Sequence, residues 1–170
     1  MLRGPVGILH NMSRTDYAAS FFAKSNNRRI RMKVFDYSLV KDPQYFKDGR
    51  MDAHSDHTYY RDGEEAQEKA TSFRYDLNGI WKFHYARNYG SAIPGFEKED
   101  YCCKDWDDIR VPAHIQMEGY DAPQYANVQY PWEGHEDIHP GEIPEHFNPV
   151  ASYVKYFEVP EEMQGKRLFI

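Results

Sequence analysis

Alternating apolar and polar residues predict short β-strands through the second half of the chain. In IWKFHY, at residues 80–85, Trp81, Phe83 and Tyr85 occupy every second position, so one face of this strand is expected to be aromatic. Prolines end three of the other runs, because proline cannot donate to a sheet ladder. Five strands are predicted in all, at residues 80–85, 106–111, 124–130, 152–159 and 166–170.

The last two predicted strands carry further expectations. In SYVKYFEV, the alternation places Tyr153, Phe157 and Val159 on one side of the strand. The apolar strand predicted at 166–170 stops with the chain, so we expect a domain that is cut off before all its strands are present. One short helix is predicted at 63–69, where acids occupy the first turn of GEEAQEK.

The order of these elements predicts an all-β fold. Short strands with Pro/Gly-rich connections and no β-α-β alternation favour an antiparallel β-sandwich or jelly roll. Residues 1–31 lack periodicity and are expected to be a leader. This leader is either disordered or the result of a wrongly assigned translation start. Residues 32–73 are expected to form an extended arm that includes the helix, and residues 74–170 the first part of the sandwich.

Charge and cysteine content limit the partners and the compartment. The formal net charge is −6, yet residues 1–31 carry six Lys or Arg and one acid, so the remainder is strongly acidic. An acidic body repels phosphate backbones, and no apolar run approaches the roughly 18 residues of a membrane span. We therefore expect neither nucleic acid nor membrane as a partner.

The two cysteines, Cys102 and Cys103, are adjacent in sequence, so a disulfide bond between them would be strained. We therefore expect reduced thiols, which are typical of a cytoplasmic protein.

Two polar clusters are candidate metal sites. The first consists of Asp52, His54, Asp56 and His57, and the second of His135, Glu136, Asp137 and His139. Imidazole and carboxylate groups suit several divalent ions, but neither spacing matches a helix face or a known finger. Solvated loop residues are the favoured interpretation of both. No pair of carboxylates stands out as glycosidase catalysts, and no nucleophile elbow, P-loop or dinucleotide fingerprint is present.

The string GYDAPQYANVQYP, at residues 119–131, is a candidate sugar-binding segment. It places the amide of Asn127 among three tyrosines. Sugar recognition combines aromatic rings, which pack on apolar ring faces, with planar amides, which meet hydroxyls. A tyrosine-rich strand whose Asn caps a turn explains the same residues, and on the pattern alone it is the commoner case. Both interpretations stay open at this point.

The same string resembles glycoside hydrolase family 2, and within it the large bacterial β-galactosidases. The resemblance also extends over LNGIWKFHY at 77–85, WDDIRVPAHIQMEGY at 106–120, NPVASYVKYFEVP at 148–160 and the arm segment at 49–66. The resemblance implies a galactose-binding-like jelly-roll domain. One loop of this domain is expected to contribute to an active site on a (β/α)₈ barrel that lies further along the full-length enzyme. Asn127 and Val128 match the substrate-binding position of that loop, whereas Tyr125 and Tyr130 are expected to hold the loop's shape.

The resemblance implies a function for a longer protein. That protein is expected to hydrolyse terminal non-reducing β-D-galactose residues, as in lactose, by a retaining mechanism, with both catalytic glutamates outside this chain. It is expected to be a cytoplasmic homo-oligomer that uses magnesium and sodium. Gly49 departs from the family's usual Asn in the arm motif, which puts a secondary magnesium site there in doubt. A stand-alone carbohydrate-binding module and another family 2 glycosidase, such as a β-glucuronidase, are the alternatives.

Overall fold

The computed structural model describes residues 3–11, 17–20, 36–47, 50–98, 100–123, 127, 130 and 132–170, and only the backbone of the first two ranges. Its strands are β1 Arg3–Asn11, β2 Tyr17–Ser20, β3 Gly79–Ala86, β4 Asp107–Val111 and β5 Val150–Glu158, and its α-helix is α1 Gly63–Glu68. The strands form one antiparallel sheet in the order β2-β1-β5-β3-β4. The all-β prediction is confirmed, as are the strands predicted at 80–85, 106–111 and 152–159.

The first face of the sheet contains the aromatic core that the alternation in β3 predicts. Trp81 is 5% exposed and Phe83 is fully buried, whereas Ile80 on the other face is 57% exposed. Phe83 lies opposite Tyr153 of β5 in the register, and their ring centroids are 4.9 Å apart. Such cross-strand aromatic pairs are a main source of sheet stability.

The second face is buried as well, which the pattern of β5 did not indicate. Val154 is 1% exposed and packs with Phe96, Cys103 and Trp106, which belong to the connection between β3 and β4 or adjoin β4. The alternation in β5 placed Tyr153, Phe157 and Val159 on one side of the strand, and Val154 on the opposite side is buried too. A sheet that is covered on both faces needs apolar residues on both sides of its central strand. The described residues contain one sheet with both faces covered, which is consistent with part of a β-sandwich domain.

The structure differs from the expectation for residues 1–31, since two strands lie within them. β1 pairs with β5 along its whole length, from Arg3 opposite Glu158 to Asn11 opposite Val150. Glycine and proline interrupt the apolar pattern of RGPVGILHN, so the pattern predicts no strand there. Pairing satisfies the backbone groups along the edge of β5 that β3 leaves unpaired. The role of the segment as a leader stays a prediction.

Two other predicted strands have different outcomes. The strand predicted at 166–170 is wrong, because the structure has no strand there. A strand needs a hydrogen-bonded neighbour, and in the part of the chain that the structure describes no strand pairs with this segment. The strand predicted at 124–130 lies outside the described residues except for Asn127 and Tyr130, neither of which is in a strand.

The arm is attached to the sheet region at both of its ends. Tyr37 stacks on Tyr89 with centroids 4.1 Å apart, and Asn148 donates to the Tyr37 hydroxyl at 2.8 Å. At the other end, the Lys166 ammonium lies 5.2 Å from the centroid of the Phe73 ring. The predicted helix is confirmed as α1. No helix among the described residues has the length and apolar character needed to span a membrane.

Candidate functional site

The candidate site begins where β4 ends and the chain turns away from the sheet. After Val111 and Pro112, which are joined by a cis peptide bond, a short 3-10 turn spans Ile115–Met117. Ile115 is 5% exposed and belongs to the core of the first face. The loop that carries the sugar-binding candidate is therefore anchored in the core before it becomes exposed.

Tyr120 is the second anchor of this loop. Its ring packs edge-on against Phe83 with centroids 4.6 Å apart and lies 6.2 Å from the ring of Tyr85. Its hydroxyl donates to the carboxylate of Asp107 on β4 at 2.8 Å, and its backbone N–H donates to the carbonyl of Ile115 at 3.0 Å. The chain is therefore fixed to the sheet at Tyr120, before the segment that contains Asn127.

Two hydroxyls at the base of the loop are held in their neutral form. Partial burial, with Asp107 as the second cause, raises the pKa of Tyr120 to about 12. Partial burial, followed by the charge of Asp121, raises the pKa of Tyr85 to about 12. Both phenols therefore stay protonated at neutral pH and act as hydrogen-bond donors toward nearby carboxylates.

Asn127 lies beyond these anchors, in a turn, and is exposed. An exposed amide carries a donor and an acceptor that can meet the hydroxyls of a bound sugar. Val128 and Tyr125 lie outside the described residues. The roles predicted for these three residues stay predictions, and both interpretations of Asn127 agree with its position in a turn.

Tyr130, three residues further along, is exposed and forms an aromatic pair with the half-buried Trp132. Their rings are parallel within 6°, the centroids are 5.6 Å apart, and Tyr130 is 65% exposed. Tyr130 therefore contacts a neighbouring ring rather than the protein core. Sequence reasoning missed this pair because the predicted strand ends at Tyr130 and Trp132 lies beyond it.

The segment after this pair is tied to the sheet by a carboxylate and by ring stacking. Glu136 accepts backbone N–H groups of His146 at 3.1 Å and Phe147 at 3.2 Å. Partial burial raises the pKa of the Glu136 carboxyl, but these hydrogen bonds outweigh burial and lower that pKa overall. The imidazole of His135 stacks on Phe147 at 3.8 Å, and the Arg87 guanidinium lies 5.7 Å from the same ring. Two residues of the second candidate metal cluster are thus engaged in structural contacts.

Metal-ligand geometry is not found in the described residues. No group of three or more His, Cys, Asp or Glu side chains comes together there. His54 bonds through Nδ1 to the backbone oxygen of Asp52 at 2.7 Å, and His139 bonds to the Glu142 carboxylate at 3.2 Å. Carboxyl groups with a clear pKa shift are all shifted down, opposite to the shift of a general acid: Asp36, Asp62, Glu65, Glu136 and Glu142.

Comparison with known families decides what kind of domain carries this loop. The family model described as "Glycosyl hydrolases family 2, sugar binding domain" matches residues 74–169, which include β3, β4, β5 and the loop with Asn127. The chain belongs to glycosyl hydrolase family 2. This confirms the predicted family, and the match includes both anchors of the candidate site.

The curated relatives of this chain include several β-galactosidases. A β-galactosidase from Halalkalibacterium halodurans is 52% identical over 134 residues, which is 78% of this chain and 13% of that one. One from Streptococcus thermophilus is 40% identical over 133 residues, with 78% and 13% covered. A β-galactosidase large subunit from Latilactobacillus sakei is 36% identical over 140 residues, with 75% and 22% covered. The chain therefore spans about an eighth of the length of the first two relatives.

Proposed function

We propose that this chain is the N-terminal sugar-binding portion of a β-galactosidase that hydrolyses terminal non-reducing β-D-galactose residues, as in lactose, with retention of configuration. The observation that supports this most directly is the 52% identity to a β-galactosidase over 134 residues. The chain itself supplies no catalytic glutamate in this proposal. A retaining enzyme needs two carboxylates on either side of one bond, and these belong to a catalytic domain outside this chain.

In this proposal Asn127 binds the galactosyl ring and Val128 lines the same turn. The position of Asn127 supports its part, because Asn127 is exposed and follows, along the chain, a segment that Ile115 and Tyr120 hold on the sheet. The catalytic domain would complete the site around this loop, so the main partner is the rest of the same enzyme.

The proposed complete enzyme is a cytoplasmic homo-oligomer that uses magnesium and sodium. Both cysteines are free thiols in the structure, which suits a reducing compartment. The arm exposes large apolar side chains between its two attachments, with Phe46 58%, Met51 50% and Tyr59 71% exposed, which suits a subunit contact. The described donors do not form a metal site by themselves, so the ions are proposed to bind through groups outside this chain.

The test is an assay of the complete gene product on lactose and on a chromogenic β-galactoside, beside an Asn127→Ala variant. Loss of a buried contact to a substrate hydroxyl is expected to lower kcat/KM by about tenfold or more. The matched control is Gln67→Ala, which removes an exposed amide from α1 and should leave kcat/KM within about twofold.

Each other outcome points to a different conclusion. An unmodified product that hydrolyses a glucuronide and no galactoside would identify a sister glycosidase. A product without a catalytic domain that still binds galactosides would identify a carbohydrate-binding module. Full activity in Asn127→Ala would leave the enzyme proposal intact but remove Asn127 from the site, in favour of the turn-capping interpretation.

A further inference from the structure

Tyr130 and Trp132 together form a flat apolar surface, which we call the aromatic platform. The two rings are stacked within 6° of parallel, and Tyr130 is 65% exposed although it is a large aromatic residue. The ring centroids are 5.6 Å apart, so the two parallel rings are offset and much of the Tyr130 ring stays accessible. An accessible ring face of this kind suits the apolar C–H face of a pyranose.

The backbone holds the aromatic platform in a defined position. The Tyr130 N–H donates to the Glu133 carboxylate at 3.1 Å, and the Glu133 N–H donates to the Tyr130 carbonyl at 3.0 Å. The N–H of His135 donates to the Trp132 carbonyl at 3.0 Å, and Gly134 takes a positive φ of 84° that glycine adopts without strain. Both rings are therefore presented by a hydrogen-bonded turn, which lowers the entropy lost on binding.

The turn is also joined to the sheet. Glu136 binds the backbone N–H groups of His146 and Phe147, and the next residue, Asn148, donates its N–H to the Arg87 carbonyl at 3.0 Å. Arg87 directly follows β3 and Asn148 lies two residues before β5. The aromatic platform thus has a fixed place relative to the two central strands.

We propose that the aromatic platform binds the second sugar ring of a β-galactoside, on the leaving-group side of the scissile bond. The inference rests on the proposed function, in which Asn127 binds the galactosyl ring. Three residues reach at most about 10 Å, so Tyr130 lies within roughly a disaccharide's length of Asn127. The leaving-group side must be open to solvent because the released sugar departs there, and the aromatic platform is exposed. The Tyr130 hydroxyl adds a donor and acceptor for sugar hydroxyls.

The test compares two substrates that differ only in the second ring. Lactose carries it, whereas methyl β-D-galactoside does not. In the complete gene product, Tyr130→Ala is expected to lower kcat/KM for lactose by roughly three- to tenfold, the usual strength of one aromatic stacking contact, and for the methyl galactoside by less than about twofold. Tyr130→Phe keeps the ring and should recover most of the loss. Trp132→Ala, which removes the support of the ring, should act in the same direction as Tyr130→Ala.

Three results would overturn the inference, and they can be told apart. An equal loss on both substrates means that the aromatic platform shapes the loop of Asn127. Unchanged kinetics on both substrates mean that the rings contact no substrate and pack elsewhere in the enzyme. An unmodified product that hydrolyses neither galactoside contradicts the proposed function itself, and this appears before any variant is made.

Discussion

Replacing Tyr120 by Phe or by Ala separates the two contacts that hold the candidate loop on the sheet. Tyr120→Phe removes only the hydrogen bond to Asp107, at 2.8 Å. A bond to a charged partner contributes about 1.5–3 kcal/mol when shielded, and because Asp107 is exposed we expect about 1 kcal/mol. Tyr120→Ala also removes the ring that packs on Phe83 at 4.6 Å and on Tyr85 at 6.2 Å. Full truncation of a buried aromatic costs about 3–5 kcal/mol, so a half-buried ring with its hydrogen bond should contribute about 3 kcal/mol.

Native-state amide exchange of the complete gene product measures this anchoring locally. The N–H of Tyr120 donates to the Ile115 carbonyl, so its exchange reports the opening of the loop from the sheet. Losses of about 1 and about 3 kcal/mol correspond to exchange about fivefold faster in Tyr120→Phe and roughly a hundredfold faster in Tyr120→Ala across residues 115–121. Local exchange is preferable to global melting, because a large enzyme does not unfold in two states.

Tyr156→Phe is the matched control for this experiment. The Tyr156 hydroxyl lies 3.4 Å from the Cys103 sulfur and 3.4 Å from the Tyr101 carbonyl, on the side of the sheet opposite Tyr120. Its removal should leave exchange in residues 115–121 unchanged. If Tyr120→Ala exchanges at the unmodified rate, the ring does not hold the loop, and the account of how residue 127 is positioned is refuted.

Two further predictions concern the sheet and its cysteines. Phe83→Ala removes a fully buried ring and should destabilise the domain by about 3–5 kcal/mol, seen as faster native-state amide exchange along β3, whereas Ile80→Ala on β3, at a side chain that is 57% exposed, should change that exchange little. Amide exchange equally sensitive to both substitutions would contradict the assigned core. Cys102 is exposed and Cys103 is 3% exposed, so a thiol reagent should label the first much faster under native conditions. Equal labelling rates would show that the second face of the sheet is open.

Strands with strict alternation were predictable from local pattern alone. Trp81, Phe83 and Tyr85 alternate without interruption, and β3 contains all three. Helix α1 was likewise predictable, because Asp62 caps it through the N–H groups of Glu64 and Glu65, all within four residues. Such features depend on neighbours in sequence, which the residues themselves specify.

Recognition of the family also required only the sequence, since the string from 119 to 131 is long and specific. The sequence of this string does not indicate which of its residues are exposed to solvent. Tyr120 and Tyr130 are alike in sequence context, yet one packs on Phe83 and the other is 65% exposed on a stacked Trp132. Only the folded chain separates them.

Pairing and burial between distant segments were decided by tertiary structure. β1 joins β5 although about 140 residues separate them, and 166–170 remains without a strand although its residues favour one. A strand exists only where another backbone is within hydrogen-bonding distance, and Val154 is buried only because the segment of Phe96 covers its face of the sheet. Local periodicity therefore determines which residues can form a strand, whereas contacts between distant segments determine which of those strands form and which side chains stay exposed to bind a sugar.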